Sequence, residues 1–110
     1  MNKSYTATLK YATLSYQKIN LIAKMVRGMK ATEALTTLEM MPKKAAWILW
    51  KVVRSAVANA EHNADANVND LMVDTIQVGR GMLLKRHRFV SRSWVHRYYK
   101  HRSFVSVILK

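Results

Sequence analysis

Cysteine is absent from this 110-residue chain, which excludes disulfides and zinc–thiolate sites. The fold must hold without covalent staples, a condition that suits a reducing compartment. Glycine occurs three times and proline once. So little glycine leaves no room for phosphate-cradling loops: there is no Walker pattern, no dinucleotide-binding glycine run and no nucleophile elbow. No apolar run approaches the roughly 20 residues that span a bilayer. Met1 to Lys10 has neither a hydrophobic signal core nor an Arg-rich amphipathic presequence, so the protein is expected to work where it is made.

Acid is the other scarcity. Six Asp and Glu face nineteen Lys and Arg, for a net charge of +13 and a pI near 10.4. The acids, Glu33, Glu39, Glu61, Asp65, Asp70 and Asp74, all lie mid-chain, and none follows Thr75. That acid-free stretch carries Arg80, Lys85, Arg86, Arg88, Arg92, Arg97, Lys100, Arg102 and Lys110, with His87, His96 and His101 among them. A solvated charged face normally mixes both signs. A face of one sign is destabilised by self-repulsion unless a polyanion relieves it. Nucleic acid, an anionic membrane and an acidic protein are the candidate partners. A basic pI in a small folded domain favours nucleic acid, with phosphates neutralising the bases.

What the chain does have is core material. Half of its residues are hydrophobic, enough for one compact domain rather than a disordered tail. Thr6 to Thr13 alternates and reads as a short strand. Ser15 is a candidate N-cap, Ile19, Ile22, Ala23 and Val26 recur at helical spacing, and Gly28 marks the helix end. A second helix is expected from about Thr32 to Met41. Pro42 stops it and is read as the first residue of the next. The third helix, about Lys43 to Asn63, has an apolar arc of Ala45, Ala46, Ile48, Leu49, Trp50, Val52, Val53, Ala56, Val57 and Ala60. Such an arc is wider than a surface helix needs, so this helix is expected at the centre, covered on two sides. Lys44, Trp47, Lys51 and Arg54 occupy the narrow opposite face.

A polar turn at Asp65 to Asp70 leads into two β-rich segments, Leu71 to about Lys85 and Arg97 to Leu109, which are natural hairpin partners. The tract between them, about Arg86 to His96, is basic. If both arms stay extended, a dozen residues reach roughly 40 Å, well beyond a domain of this size. Gly79-Arg80-Gly81 reads as a bulge or twist in the first arm.

Candidate chemistry is thin. His87, His96 and His101 have no carboxylate or thiol nearby, and local positive charge opposes a metal cation. His62 sits where a helix C-terminus favours a cation. Neither pattern supports a metal site, a cofactor, a catalytic group or a small-molecule substrate. Trp47, beside Lys51 and Arg54, could stack on a base or pack against a protein neighbour. Trp94, Tyr98 and Tyr99 interleave with Arg92, Arg97 and Lys100, a mixture that suits RNA, although Tyr98 and Tyr99 would equally be ordinary strand residues.

The string Pro42-Lys43-Lys44-Ala45-Ala46, followed by Lys51-Val52-Val53-Arg54-Ser55-Ala56-Val57-Ala58-Asn59-Ala60-Glu61-His62-Asn63, closely resembles the bacterial type of the ribosomal large-subunit protein twenty-two family. Ile22-Ala23-Lys24-Met25-Val26-Arg27-Gly28 and Glu33-Ala34-Leu35 are similar to the same family in the same order. The resemblance covers nearly the whole chain. It implies an α+β domain on large-subunit rRNA, neighbouring ribosomal proteins as partners, and a long hairpin that lines the nascent-peptide exit tunnel and meets the nascent peptide at its tip. By position, Lys85 and Arg86 match a basic pair entering the tip, Arg97 and Lys100 match bases on the returning strand, and Lys18 matches a lysine early in the first helix. Two departures stand out. Asn20 replaces a usual arginine, and Phe89-Val90-Ser91-Arg92-Ser93-Trp94-Val95 replaces a tip usually rich in Pro, Gly and Arg. A divergent bacterial lineage or an organelle-encoded copy, in mitochondrion or plastid, would account for both.

The expectation is therefore an α+β fold, three helices on a small antiparallel sheet with a long protruding β-hairpin. Residues 1–110 would form a single rRNA-binding domain with the hairpin at about 80–102. The role expected is non-enzymatic and structural in the large subunit, with assembly aided by charge neutralisation. The candidate RNA-binding residues are Lys10, Lys18, Arg80, Lys85, Arg86, Arg88, Arg92, Arg97, Lys100 and Arg102, with Trp47, Lys51 and Trp94 as RNA or protein contacts. A free-standing RNA- or DNA-binding regulator is the alternative, but no helix-turn-helix with a basic recognition helix is legible. An enzyme acting on RNA, with His62 or His87 as acid-base, lacks a paired carboxylate.

Overall fold

The computed structural model describes the backbone of residues 4–89 and 95–110, and the side chains of residues 4–81, 85 and 102–110. The order of elements is β1 (Tyr5–Ala12), α1 (Tyr16–Val26), α2 (Ala31–Met40), α3 (Lys44–Ala64), a 3-10 turn (Val68–Asp70), β2 (Val73–Phe89) and β3 (Val95–Leu109). The strands form one antiparallel sheet in the order β1-β3-β2. The last strand is thus the central one. On it Val105, Val107 and Leu109 are fully buried and Ser103 and Ser106 are buried as well, while Ile108 is half-buried.

The core lies between this sheet and the helices. α3 rests on β1 and β3 and is flanked by α1 and α2. Its broad apolar arc follows from that position. Ala46, Leu49, Val53, Ala56 and Ala60 are wholly inaccessible, and Ala45, Ile48, Val52 and Val57 nearly so. Truncating a leucine buried like Leu49 to alanine costs about 2–5 kcal/mol. Trp50 departs from expectation: it is half-buried, at the edge of the arc. Lys44, Trp47, Lys51 and Arg54 are exposed as expected.

The helix termini depart from expectation in two places. Ser15 holds the N-cap position of α1 in extended conformation, but its side chain makes no capping bond. Pro42 is not the first residue of α3; Lys43 caps that helix and Lys44 begins it. The reason is local. A residue before proline avoids helical backbone, and Met41 accordingly ends α2 at φ −80°, ψ 127°. Lys43 is still extended, at φ −132°, ψ 142°, so Pro42 lies in an extended connector where its missing N–H costs nothing.

Gly28 does end α1 as expected, at φ +85°, a backbone that L side chains rarely adopt. The reversal lets its N–H donate to the Val73 carbonyl at 2.9 Å, and Val73 N–H donates back to the Met29 carbonyl at 2.8 Å. The α1–α2 connection is thereby stitched to the start of β2. Arg27 reinforces the seam. Its guanidinium donates to the Ile76 carbonyl at 2.6 and 3.2 Å and to Asn20 Oδ1 at 3.0 Å.

β2 and β3 pair from Val73 opposite Leu109 to Phe89 opposite Val95. The ladder is longer than expected, since both strands enter the basic tract and only residues 90–94 lie between them. Charge does not interrupt a ribbon whose side chains need not enter a core. The register shifts between Arg80 and Leu83, the irregularity expected at Gly79-Arg80-Gly81. Gly81 suits the close approach there: a Cβ would lie 3.0 Å from the Arg102 carbonyl carbon and oxygen. The chain extends over 63 × 26 × 19 Å with a radius of gyration of 17.0 Å, against about 13 Å for a compact domain of this length. No helix among the described residues is long and apolar enough to cross a membrane.

Candidate nucleic-acid interface

The bases singled out in the sequence fall into four places. Lys10 is exposed on β1, an edge strand. Lys18 is exposed on α1. There it borders a groove of about 380 Å³ whose walls include Leu14, Leu21, Lys43 and Lys44. Arg80, Lys85, Arg86, Arg88, Arg97, Lys100 and Arg102 lie on β2 and β3.

At the hairpin root, Arg80 is exposed beside the bulge. Its guanidinium lies over the Tyr16 ring, 5.2 Å from the centroid, and donates to the Tyr16 hydroxyl at 3.4 Å. Hydrogen bonds from Arg80 and Gln17, and the Arg80 charge, hold the Tyr16 phenol below its ordinary value of 10.0. The same hydrogen bond and the Tyr16 charge raise the Arg80 pKa. Arg102 is half-buried on β3, next to Ser103, whose buried hydroxyl donates to the Leu14 carbonyl. Further out, Lys85 is exposed and its backbone stands opposite Tyr99. Arg86 stands opposite Tyr98, Arg97 opposite His87, Arg88 opposite His96, and Lys100 opposite Leu84. The register therefore puts bases on both strands of the ribbon. The side chains of Arg86, Arg88, Arg97 and Lys100 lie outside the described residues, as do Arg92 and Trp94 altogether.

The fourth place is the outer face of α3. Trp47 and Trp50 stack with centroids 5.1 Å apart and planes 7° from parallel. Lys51 Nζ lies 4.9 Å from the Trp47 centroid, and the Arg54 guanidinium 5.4 Å from that of Trp50. The Trp47–Lys51–Arg54 association was legible from helical spacing. The part of Trp50 was not, because the same spacing also fits a core position. Nor was the Tyr16–Arg80 pair, whose members are 64 residues apart in sequence. Its only sequence signal was an aromatic residue beside the N-cap.

Among the described residues the ion pair is Lys110 with Asp74, at 3.6 Å. Lys18, Lys43, Lys44, Lys51 and Arg54 form none. Among the described residues no group of three His, Asp or Glu stands close enough to share a metal ion.

Fold and charge together define a basic α+β domain carrying a long antiparallel hairpin. The family model for ribosomal protein L22p/L17e matches residues 7–110, from β1 through the whole hairpin. The chain belongs to that family, and it is a structural protein of the large ribosomal subunit, located on the ribosome.

Proposed function

We propose that residues 1–110 act as one rRNA-binding unit. The helical domain anchors on the subunit surface, and the hairpin, at about 80–102, threads between rRNA segments to line the nascent-peptide exit tunnel. The observation that carries this reading is the hairpin itself: an antiparallel ribbon with bases on both strands in a stretch without a single acid after Thr75. A ribbon of that charge gains most where RNA phosphates crowd it from several sides. Recognition of this kind follows RNA backbone and shape rather than base sequence.

In this reading Arg80, Lys85, Arg86, Arg88, Arg92, Arg97, Lys100 and Arg102 contact rRNA along the ribbon, and Lys10 and Lys18 contact it from the domain. Neighbouring ribosomal proteins flank the domain, and the nascent peptide passes the tip. The role is architectural, with no catalytic step. Deleting residues 85–97 tests it. The shortened protein should keep the circular dichroism of the helical domain and lose co-sedimentation with large-subunit particles at moderate salt. Undiminished co-sedimentation would overturn the assignment of rRNA binding to the hairpin.

A further inference from the structure

The outer face of α3 lies away from the sheet and is not part of the hairpin. Trp47 is 52% exposed, an unusual state for tryptophan on a helix whose opposite side is fully buried. Its ring lies on Trp50, which is half-buried and forms a floor. Each indole has a cation over it, Lys51 for Trp47 and Arg54 for Trp50. One turn toward the N-terminus, Lys43 and Lys44 lead into the groove shared with Lys18 and the exposed Leu21. Helix geometry aligns these groups: the Trp47 amide donates to the Lys43 carbonyl, and Lys51 and Arg54 follow at four and seven residues.

We propose that this face is a second RNA contact, one that takes unpaired nucleotides. A base stacks on the Trp47–Trp50 pair, and the phosphates on either side meet Lys51 and Arg54 in one direction and Lys43, Lys44 and Lys18 in the other. From Lys44 to Arg54 the helix rises roughly 15 Å, the length of about four stacked nucleotides. The chemistry favours RNA over a protein neighbour. Every charged group on this stretch is positive and none of them is paired with an acid. Lys51 stands over Trp47 in the free protein; swung out to a phosphate, it uncovers a flat indole face of the kind on which bases stack whatever their identity. A duplex hides its base faces and gains only the charge.

The inference rests on the proposed rRNA-binding role but concerns a different surface, so the two can fail separately. The full chain is titrated, by fluorescence anisotropy, into a labelled oligouridylate, which is unstructured, and into a blunt RNA duplex. Trp47→Leu should weaken oligouridylate binding by about fivefold or more, the loss of one stacked base, and leave duplex binding unchanged. Trp47→Tyr should retain most of the affinity. The double variant Lys51→Gln/Arg54→Gln, which touches no buried residue, should weaken oligouridylate binding as well. Unchanged oligouridylate affinity in Trp47→Leu, or an equal loss on both RNAs, would overturn the proposal. So would intact oligouridylate binding combined with loss of the variant from large subunits, which would assign the face to a protein neighbour. Loss of hairpin-dependent co-sedimentation bears on the rRNA reading alone.

Discussion

Gly81 gives the sharpest test of how the hairpin joins the domain. A methyl group there would sit 3.0 Å from the Arg102 carbonyl carbon and oxygen and 3.2 Å from the Ser103 nitrogen. All three are backbone atoms of β3, so the neighbour cannot swing aside as a flexible side chain would. Ser103 cannot retreat easily either, because its side chain is fully buried and tied to Leu14. Relief must come from displacing the two strands against each other. Overpacking of this kind costs about 1–3 kcal/mol. Replacing glycine by alanine also removes freedom from the unfolded chain, which returns roughly 0.4–1 kcal/mol. Gly81→Ala should therefore destabilise by about 1.3 kcal/mol, the difference between the midpoints of those terms, within a range of roughly 0–2.6 kcal/mol.

Gly79 supplies the internal reference. It lies on the same strand two residues earlier, and a Cβ there meets nothing within 4 Å. Gly79→Ala should keep the entropic gain without the clash, leaving stability unchanged or raised by up to about 1 kcal/mol. Thermal unfolding followed by circular dichroism would show the two variants on opposite sides of the parent, at about 4 °C per kcal/mol for a domain of this size. If Gly81→Ala proved as stable as Gly79→Ala, the close approach of the strands at the bulge would be wrong, and with it the account of why glycine stands there.

Two further outcomes follow from named contacts. Ser103→Ala removes the donor to the Leu14 carbonyl and should lower stability by about 1–2 kcal/mol, read as a lower urea midpoint at unchanged slope; an unchanged midpoint would show the bond to contribute nothing. Tyr16 should ionise below the ordinary tyrosine value in an ultraviolet pH titration, because Arg80 favours its phenolate, and Arg80→Ala should move it up toward that value. Its folded pKa is lowered, so the linked stabilisation exists at alkaline pH, above the unfolded value, and is lost as pH falls through the folded value. Stability at neutral pH should not register the change through this group.

The elements were largely legible because local pattern and tertiary demand agree in them. Ile19, Ile22, Ala23 and Val26 announce one face of α1, and all four are buried. The arc of α3 announced a central helix for the same reason. The misreadings came where two local signals competed. Pro42 suits the first turn of a helix and equally an extended connector, and only the path from α2 to α3 decides between them. Trp50 satisfies the core periodicity yet lies at its boundary, free to stack on Trp47. The central place of β3 could not be read at all. Its alternation marks a strand, but that Tyr5 lies opposite Leu109 is a contact between chain ends, invisible to any local window.

That arrangement explains how one pair of strands can be both core and arm. Up to the bulge, β3 has a neighbour on each side, and Val73, Ile76, Val105, Val107 and Leu109 are buried under the helices. β1 ends at Ala12, opposite Ser103. Beyond that point only β2 and β3 continue, paired to each other from Leu83 opposite His101 to Phe89 opposite Val95. A two-stranded ribbon alone is marginal in water, and this one adds the self-repulsion of a chain with net charge +13. The root can hold the register, since the ladder is continuous with the core and Gly81 lets the strands close up where β1 stops. Two strands alone cannot enclose a core, so the outer ribbon gains from whatever neutralises it. A phosphate environment does both tasks at once, relieving the repulsion and supplying a surface. The charge that weakens the free arm is therefore what would make its ordering on RNA favourable.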